Sequence, residues 1–570
     1  MRTCSVQCIC DTCICRICMK ISVLCTHSIY ILRSRYTLDY NQEANFWGAQ
    51  TANHPELILP FLDTITYLVM PNAAERARLP DWSYGGKPHL FGAATACMGC
   101  GPNGQHSPSE LGNWDDCGGC PAGFGGFRGL EFPSATGPFE GMVWFTDDGC
   151  RFVGGLLATN FIQYHDATRD YSFLEERIMP LLRGISDFYV SYAVPSNSSI
   201  FGPFGVRHGA TADELSVTFT CSQEVCGGGT GGAEHNAMQD LAYARMVWTK
   251  LLEYTNPDPI QSGSRPATAS AAERAVWADS LRRLAPFKTV TAVGAAGQPN
   301  RTIFSESEPT LPNASHTYRG DYFWHANTGY PITHFAAIWP AVVVSRNSDP
   351  ALVEIAKATL LTLEHGYTPD PDGTSWTPPN GYCLAWPGAA RLAEADDSVG
   401  AEGLSGRYLL TRFGRTLNRS MTLSGWPHIM GGLEEMGAID AVHSLLMLSD
   451  DGVLELFAGW PSTANASFET LRANGGFLVS SGYDGASKRV THLEVVSEAG
   501  RWLTIASPWP GALCARNVTR GPDGQSVAGH VASAARKSQR YYRFETVVKG
   551  HYTFEPCGGW QVWSSHAVSN

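Results

Sequence analysis

Between about Asn53 and Ser449 apolar residues recur at helical spacing in segment after segment. In one segment Asp349 stands as N-cap and Pro350 at the first helical position. Leu352, Ile355, Ala356, Leu360 and Leu363 then share a face, and Gly366 supplies a stop. In a second, Ser172 and Glu175 have capping-box spacing and Ile178, Leu181, Leu182, Ile185, Phe188 and Tyr189 form an apolar stripe, which Pro180 is expected to kink. A third runs from Met238 to Tyr254 on Leu241, Ala244, Trp248, Leu251 and Leu252; a fourth starts at Asn53-His54-Pro55-Glu56, and a fifth holds Ile439, Val442 and Leu446. After Asp451 the period shortens to alternating runs at 453–457, 477–480, 490–496, 502–506 and 541–547, with turns at Asp484-Gly485 and Asp523-Gly524. The pattern predicts a toroid or bundle of helices over 36–450, followed by an antiparallel β-sandwich over 451–570.

Composition narrows the function classes. At 570 residues, 44% hydrophobic and 16% charged, the chain can bury a large core and a second smaller one, which excludes global disorder. A net charge of −12 without a Lys/Arg stripe argues against nucleic acid and anionic membrane as partners. The best apolar stretch, 335–344, is short and broken by Pro340, so no membrane span is expected.

Seven cysteines crowd into 4–25 with no apolar h-region or cleavage site, a poor signal peptide. Residues 1–35 are therefore expected to be an irregular Cys-rich start foreign to the native chain, a small metal or disulfide knot being the other reading. Cys97, Cys100, Cys117 and Cys120 form two CxxC pairs in a Gly-rich loop over 82–141. Their spacing suits a structural zinc. Six sequons (Asn197, Asn300, Asn313, Asn418, Asn465 and Asn517) suit a secreted or secretory-lumen chain, in which the same thiols would be disulfides. Disulfides are the first expectation, and no cofactor is implied.

The long connections, 82–141, 200–232, 255–325 and 368–386, are rich in Gly, Pro, Trp and His. Loops of that length in a compact domain tend to carry function. Without a phosphate loop or nucleophile elbow, aromatics beside carboxylates suggest a carbohydrate cleft. Glycosidic cleavage needs one carboxyl to protonate the leaving oxygen and a second group to activate water or attack. Three places offer one: Glu224 between Cys221 and Cys226; Glu434 or Glu435, also ordinary complements to a helix dipole; and 39–47, where polar groups alternate with aromatics.

The run 39–64, DYNQEANFWGAQTANHPELILPFLDT, resembles the N-x-N-x-E-x-N-[YF]-W segment of glycoside hydrolase family 95, the inverting alpha-L-fucosidases and alpha-L-galactosidases. Ser222-Gln223-Glu224 resembles the family's S-P-E segment. Tyr330-Pro331-Ile332-Thr333-His334 with Ile338-Trp339-Pro340 is similar to its H-x-S-H…Y-P-G stretch, and Gly381-Tyr382-Cys383-Leu384-Ala385-Trp386 to its G-W-S-x-A-W. The run 452–471 with Gly475-Gly476-Phe477 resembles the start of its C-terminal β domain.

The resemblance implies an (α/α)6 barrel lacking the family's N-terminal β domain, with Glu224 as general acid and Asn41 helping to hold the attacking water. It also implies a sugar site lined by His334 and Trp386, to which we add Asn45 and Trp47 from the same motifs. Asp39 stands where the family has its first asparagine, and Leu433 near its base aspartate, so Glu434 or Asp39 is the expected base. The function expected is removal of terminal alpha-linked fucose- or galactose-like residues from an oligosaccharide or glycan. Its rivals are an inactive glycan-binding scaffold, a polysaccharide lyase on the same toroid, and a zinc-organised interaction protein.

Overall fold

The computed structural model describes residues 36–38, 41–78, 83–84, 87–88, 127–132, 135–136, 151–197, 211–217, 236–256, 266–292, 299–307, 335–365, 385–394, 404–416, 437–520, 526–528, 530–536 and 539–557. Residues 1–35, most of the loop 82–141 with its four cysteines, and Asp39, Glu224, His334, Glu434 and Glu435 lie outside them.

Helices form where the apolar period predicts them. Asp349 Oδ1 accepts from the amides of Ala351 and Leu352 at 2.9 and 3.4 Å, capping the helix Pro350–His365, whose Val353, Ala356 and Leu360 are buried. Met238–Tyr254 is one helix. The helix carrying Ile185 differs from expectation at its start: the cap is Asp170, which accepts from Phe173 N at 3.0 Å, and Ser172 lies inside the first turn. The helix continues unbroken through Pro180. A π-helical turn, Leu174–Ile178, precedes the proline, and Met179 N–H reaches back to Leu174 O. The same device precedes Pro71, where Ile65–Val69 is π-helical and Met70 N–H donates to Ile65 O. A wider turn relieves the clash between a proline ring and the carbonyl four residues earlier.

The stretch Pro55–Ala74 is apolar and long enough to cross a membrane by length and composition. Its Ile58, Leu62, Ile65, Val69 and Ala73 are nonetheless part of the protein core. At the centre of that core lies Val153–Thr168, buried on nearly every side. Gly155 lets the neighbouring helix approach, since a Cβ there would sit 2.2 Å from Tyr243 Cβ. The first and last helical segments also meet. A Cβ on Gly48 would lie 2.8 Å from Ile439 Cγ2, and Thr51 Oγ1 is 2.8 Å from His443 Nδ1. The period did not reveal the antiparallel hairpin of Thr289–Ala292 and Arg301–Phe304, whose Phe304 N–H donates to Thr359 Oγ1 at 2.9 Å.

From Met447 onward the described elements are strands, apart from one short 3-10 turn. One sheet runs His530–Arg536, Gln539–Glu545, Trp502–Ala506, Val453–Leu456, Met447–Leu448. The other runs Ala466–Ala473, Phe477–Asp484, Arg489–Ser497, Gly550–Pro556, Leu513–Asn517, Ser526–Ala528. Leu454, Ile505 and Phe544 of the first share a core with Val479, Val495 and Phe554 of the second. The expected all-antiparallel pairing has one exception: Val453–Leu456 lies parallel to Trp502–Ala506. Cys514 and Cys557 form a disulfide across 43 residues.

Arg472 ties the strands to the helices. Its Nη2 and Nε donate to Asn53 Oδ1 at 2.7 and 3.0 Å, its Nη1 to Ala167 O at 3.3 Å, and its backbone N–H to Thr51 O. Gly475 N–H adds a bond to Asp166 O at 2.7 Å.

Candidate active site

Asn41 lies in a single helical turn, Asn41–Ala44, set against the buried helix Val153–Thr168. Asn160, fully buried mid-helix, donates through Nδ2 to the Glu43 carbonyl at 3.3 Å and so holds that turn in place. The Glu43 side chain is itself fully buried, as are those of Asp240 and Tyr243 from the helix Met238–Tyr254. Burial, reinforced by the carboxylates of Glu43 and Asp240, pushes the Tyr243 phenol well above its ordinary range. The hydroxyl therefore stays protonated and able to donate.

Two buried polar atoms of this centre, Tyr243 Oη and Asn160 Oδ1, have no hydrogen-bond partner among the described residues. Beside it stand two further buried tyrosines. Burial raises Tyr189 well above its usual range, and raises Tyr192 to about 12 although Arg151 donates to its hydroxyl at 3.2 Å. Arg151 also pairs with Glu131. Carboxylates, amides and protonated phenols gathered inside an apolar helical core can bind hydroxyl groups and hold a water for deprotonation.

The aromatic residues expected in the sugar site form a second group. Trp47 exposes 0% of its surface and packs edge-on against Trp339, ring centroids 5.6 Å apart. Trp386 exposes 0% as well, on the helix Ala385–Leu392. Asn45 is half-buried, and its Oδ1 has no partner among the described residues. The helix of Trp386 also carries Arg391, whose guanidinium lies 3.5 Å above the Trp339 ring and donates to Asp440 at 2.5 and 3.3 Å, to Asp450 at 2.7 Å and to Ser444 Oγ at 3.0 Å. Burial disfavours the Arg391 cation, but the two aspartates raise its pKa above the ordinary arginine value.

Of the residues singled out from sequence, the structure brings Trp47 toward Trp339 and sets the Asn41 turn on Asn160; the acid and both candidate bases lie outside the described residues. Sequence reasoning missed Asn160, Asp240, Tyr243, Arg391 and Asp440. For Asn160 there was a signal: an amide inside the otherwise apolar run VGGLLATNF. Asp240 and Asp440 looked like ordinary first-turn acids. Among the described residues no group of three or more His, Cys, Asp or Glu side chains could hold a metal ion.

No protein-family model matches the chain, and no curated protein matches it. Among the solved structures that do match is one described as "Putative kojibiose phosphorylase from human microbiome", 11% identical with a TM-score of 0.37, over 74% of this chain and 48% of that one. The chain thus spans about half the length of that structure.

Proposed function

We propose that the protein is an inverting glycoside hydrolase that removes terminal alpha-linked fucose- or galactose-like residues from glycans. In this scheme Glu224 gives its proton to the leaving oxygen. A water held by Asn41 attacks the anomeric carbon from the opposite face and loses its proton to Glu434 or Asp39. Inversion requires the two carboxyls to stand about 6.5–9.5 Å apart. His334, Trp386, Trp47 and Asn45 shape the sugar site, and the helical part, 36–450, is an (α/α)6 barrel capped by a β-sandwich.

The observation that carries the proposal is the buried polar centre around Asn160, on which the Asn41 turn rests. A buried polar atom left unpaired costs about 1–3 kcal/mol, a cost kept mainly where water or a ligand satisfies it. The meeting of Gly48 and Thr51 with the helix of Ile439 and His443 supports a closed ring. Support for a secretory setting comes from the Cys514–Cys557 disulfide and from exposed Asn197, Asn300 and Asn465.

The test is turnover of aryl alpha-L-fucoside, alpha-L-galactoside and alpha-D-galactoside by the protein and its E224Q variant. Release of aryl alcohol from one substrate, abolished in E224Q while sugar binding persists, is the expected result. Sugar binding without turnover in either protein would make it a glycan-binding scaffold instead.

A further inference from the structure

Described stretches that carry or border proposed site residues are Asn41 to Trp47, the segment ending in Trp339, the helix of Trp386, and the helix Gly437–Leu446. The last three meet at one guanidinium, and Trp47 joins them through Trp339. Arg391 lies over the Trp339 ring, which Trp47 also meets edge-on. Its fork grips Asp440 and Ser444 of Gly437–Leu446, while Nε reaches Asp450. Gly388, one turn before it, lies against Ile338, a Cβ there falling 3.6 Å from Ile338 Cγ2, and Gly48 lies against Ile439. Arg391 is 5% exposed and so out of reach of bulk solvent.

We infer that Arg391 is a positioning residue, locking these stretches into one register so that the sugar-site residues Trp47 and Trp386 keep a fixed separation. The inference rests on the hydrolase proposal above. Glu434 lies three residues before Gly437, His334 directly before Phe335, Asn45 two residues before Trp47, and Trp386 five residues before Arg391. These four residues are thus each within a few positions of an element that Arg391 touches or braces. Only a planar fork can bond Asp440, Ser444 and Asp450 while stacking on an indole; a lysine ammonium cannot. Displacing a reacting group by about 1 Å costs on the order of 100-fold in rate.

The experiment compares wild type, R391K and D450N, the last replacing the charged Nε partner by a neutral amide, on the glycoside that wild type cleaves. R391K is expected to lower kcat about 100-fold, with KM within about threefold, and D450N to lower kcat about tenfold, both with unchanged circular dichroism. A lowered Tm with unchanged kcat in the folded protein would reduce Arg391 to a structural role and overturn the inference. If R391K does not fold, D450N decides alone. A second readout needs no activity: fluorine NMR of 5-fluorotryptophan-labelled protein, its lines assigned by Trp→Phe variants. Coupling predicts that D450N and R391K move the Trp47 and Trp386 resonances as well as that of Trp339. Movement of Trp339 alone overturns the inference even if the hydrolase proposal stands, and coupled movement without turnover of any glycoside removes the hydrolase proposal and leaves the lock.

Discussion

Asp166 shows how buried charge is managed at the level of single side chains. It accepts from Lys250 Nζ at 2.7 Å, Tyr254 Oη at 3.0 Å and Arg169 at 3.2 Å. Burial alone would raise its pKa, but Lys250 and Arg169 hold it below the ordinary carboxylate range. D166N would take the shared carboxylate from Arg169 and Lys250, leaving Lys250 with Glu253, and should cost about 1–3 kcal/mol, measurable by urea denaturation. Its neighbour His165 is kept neutral, its pKa pulled down to about 3 by burial and then by Arg169. A depressed folded pKa means that this contribution is complete above the unfolded value of about 6.5 and is lost as pH falls through the folded one. Stability should therefore drop below pH 6.5 by up to about 1.4 kcal/mol per pH unit from this group. H165Q should flatten that slope in denaturation series from pH 7.5 to 4, leaving the part due to His443, which burial lowers to about 4. The sequence does not make this legible, since two of the Asp166 partners, Lys250 and Tyr254, come from more than 80 positions away.

Among elements, local signals with local causes were legible. Asp349 caps as its type and the following proline dictate, and D349A should cost about 1 kcal/mol in thermal melts. The helix Met238–Tyr254 and the strand Trp502–Ala506 keep their predicted bounds. What the period could not show is where two elements touch. Ile439, Val442 and Leu446 are half-buried, and the most buried face of that helix carries Asp440, Ala441, Ser444 and Leu445, because Arg391 approaches from another helix. The contact of Gly155 with Tyr243 is likewise set by a distant partner. G155A should lose about 1–3 kcal/mol, since both backbones are fixed by helical hydrogen bonds. Strand Ala466–Ala473 holds a bulge between Phe468 and Leu471, with exposed Thr470 at φ 54°. A β-branched residue in left-handed backbone costs about 1–2 kcal/mol. T470G should recover part of that in chemical denaturation unless glycine's extra unfolded-state entropy cancels it.

Over the described residues, the helical and strand parts keep separate cores and are joined by specific hydrogen bonds. Arg472, just past that bulge, bonds Asn53, the Ala167 carbonyl and Glu498. The change from helical to strand period near 450 was legible; the docking was not, since it is made by contacts between residues far apart in sequence, such as Arg472 with Asn53 and Gly475 with Asp166. Of the residues that the sequence motifs proposed for the site, Asn41, Asn45, Trp47 and Trp386 fall in described segments. The polar centre beneath them is assembled from side chains about 80 and more positions apart, which no local spacing encodes. The central claim, inverting hydrolysis with Glu224 as acid, is tested most directly by proton NMR of the sugar first released from an aryl alpha-glycoside. The account predicts the beta anomer, preceding mutarotation, and no release by E224Q. Release of the alpha anomer first, or undiminished release by E224Q, would contradict it.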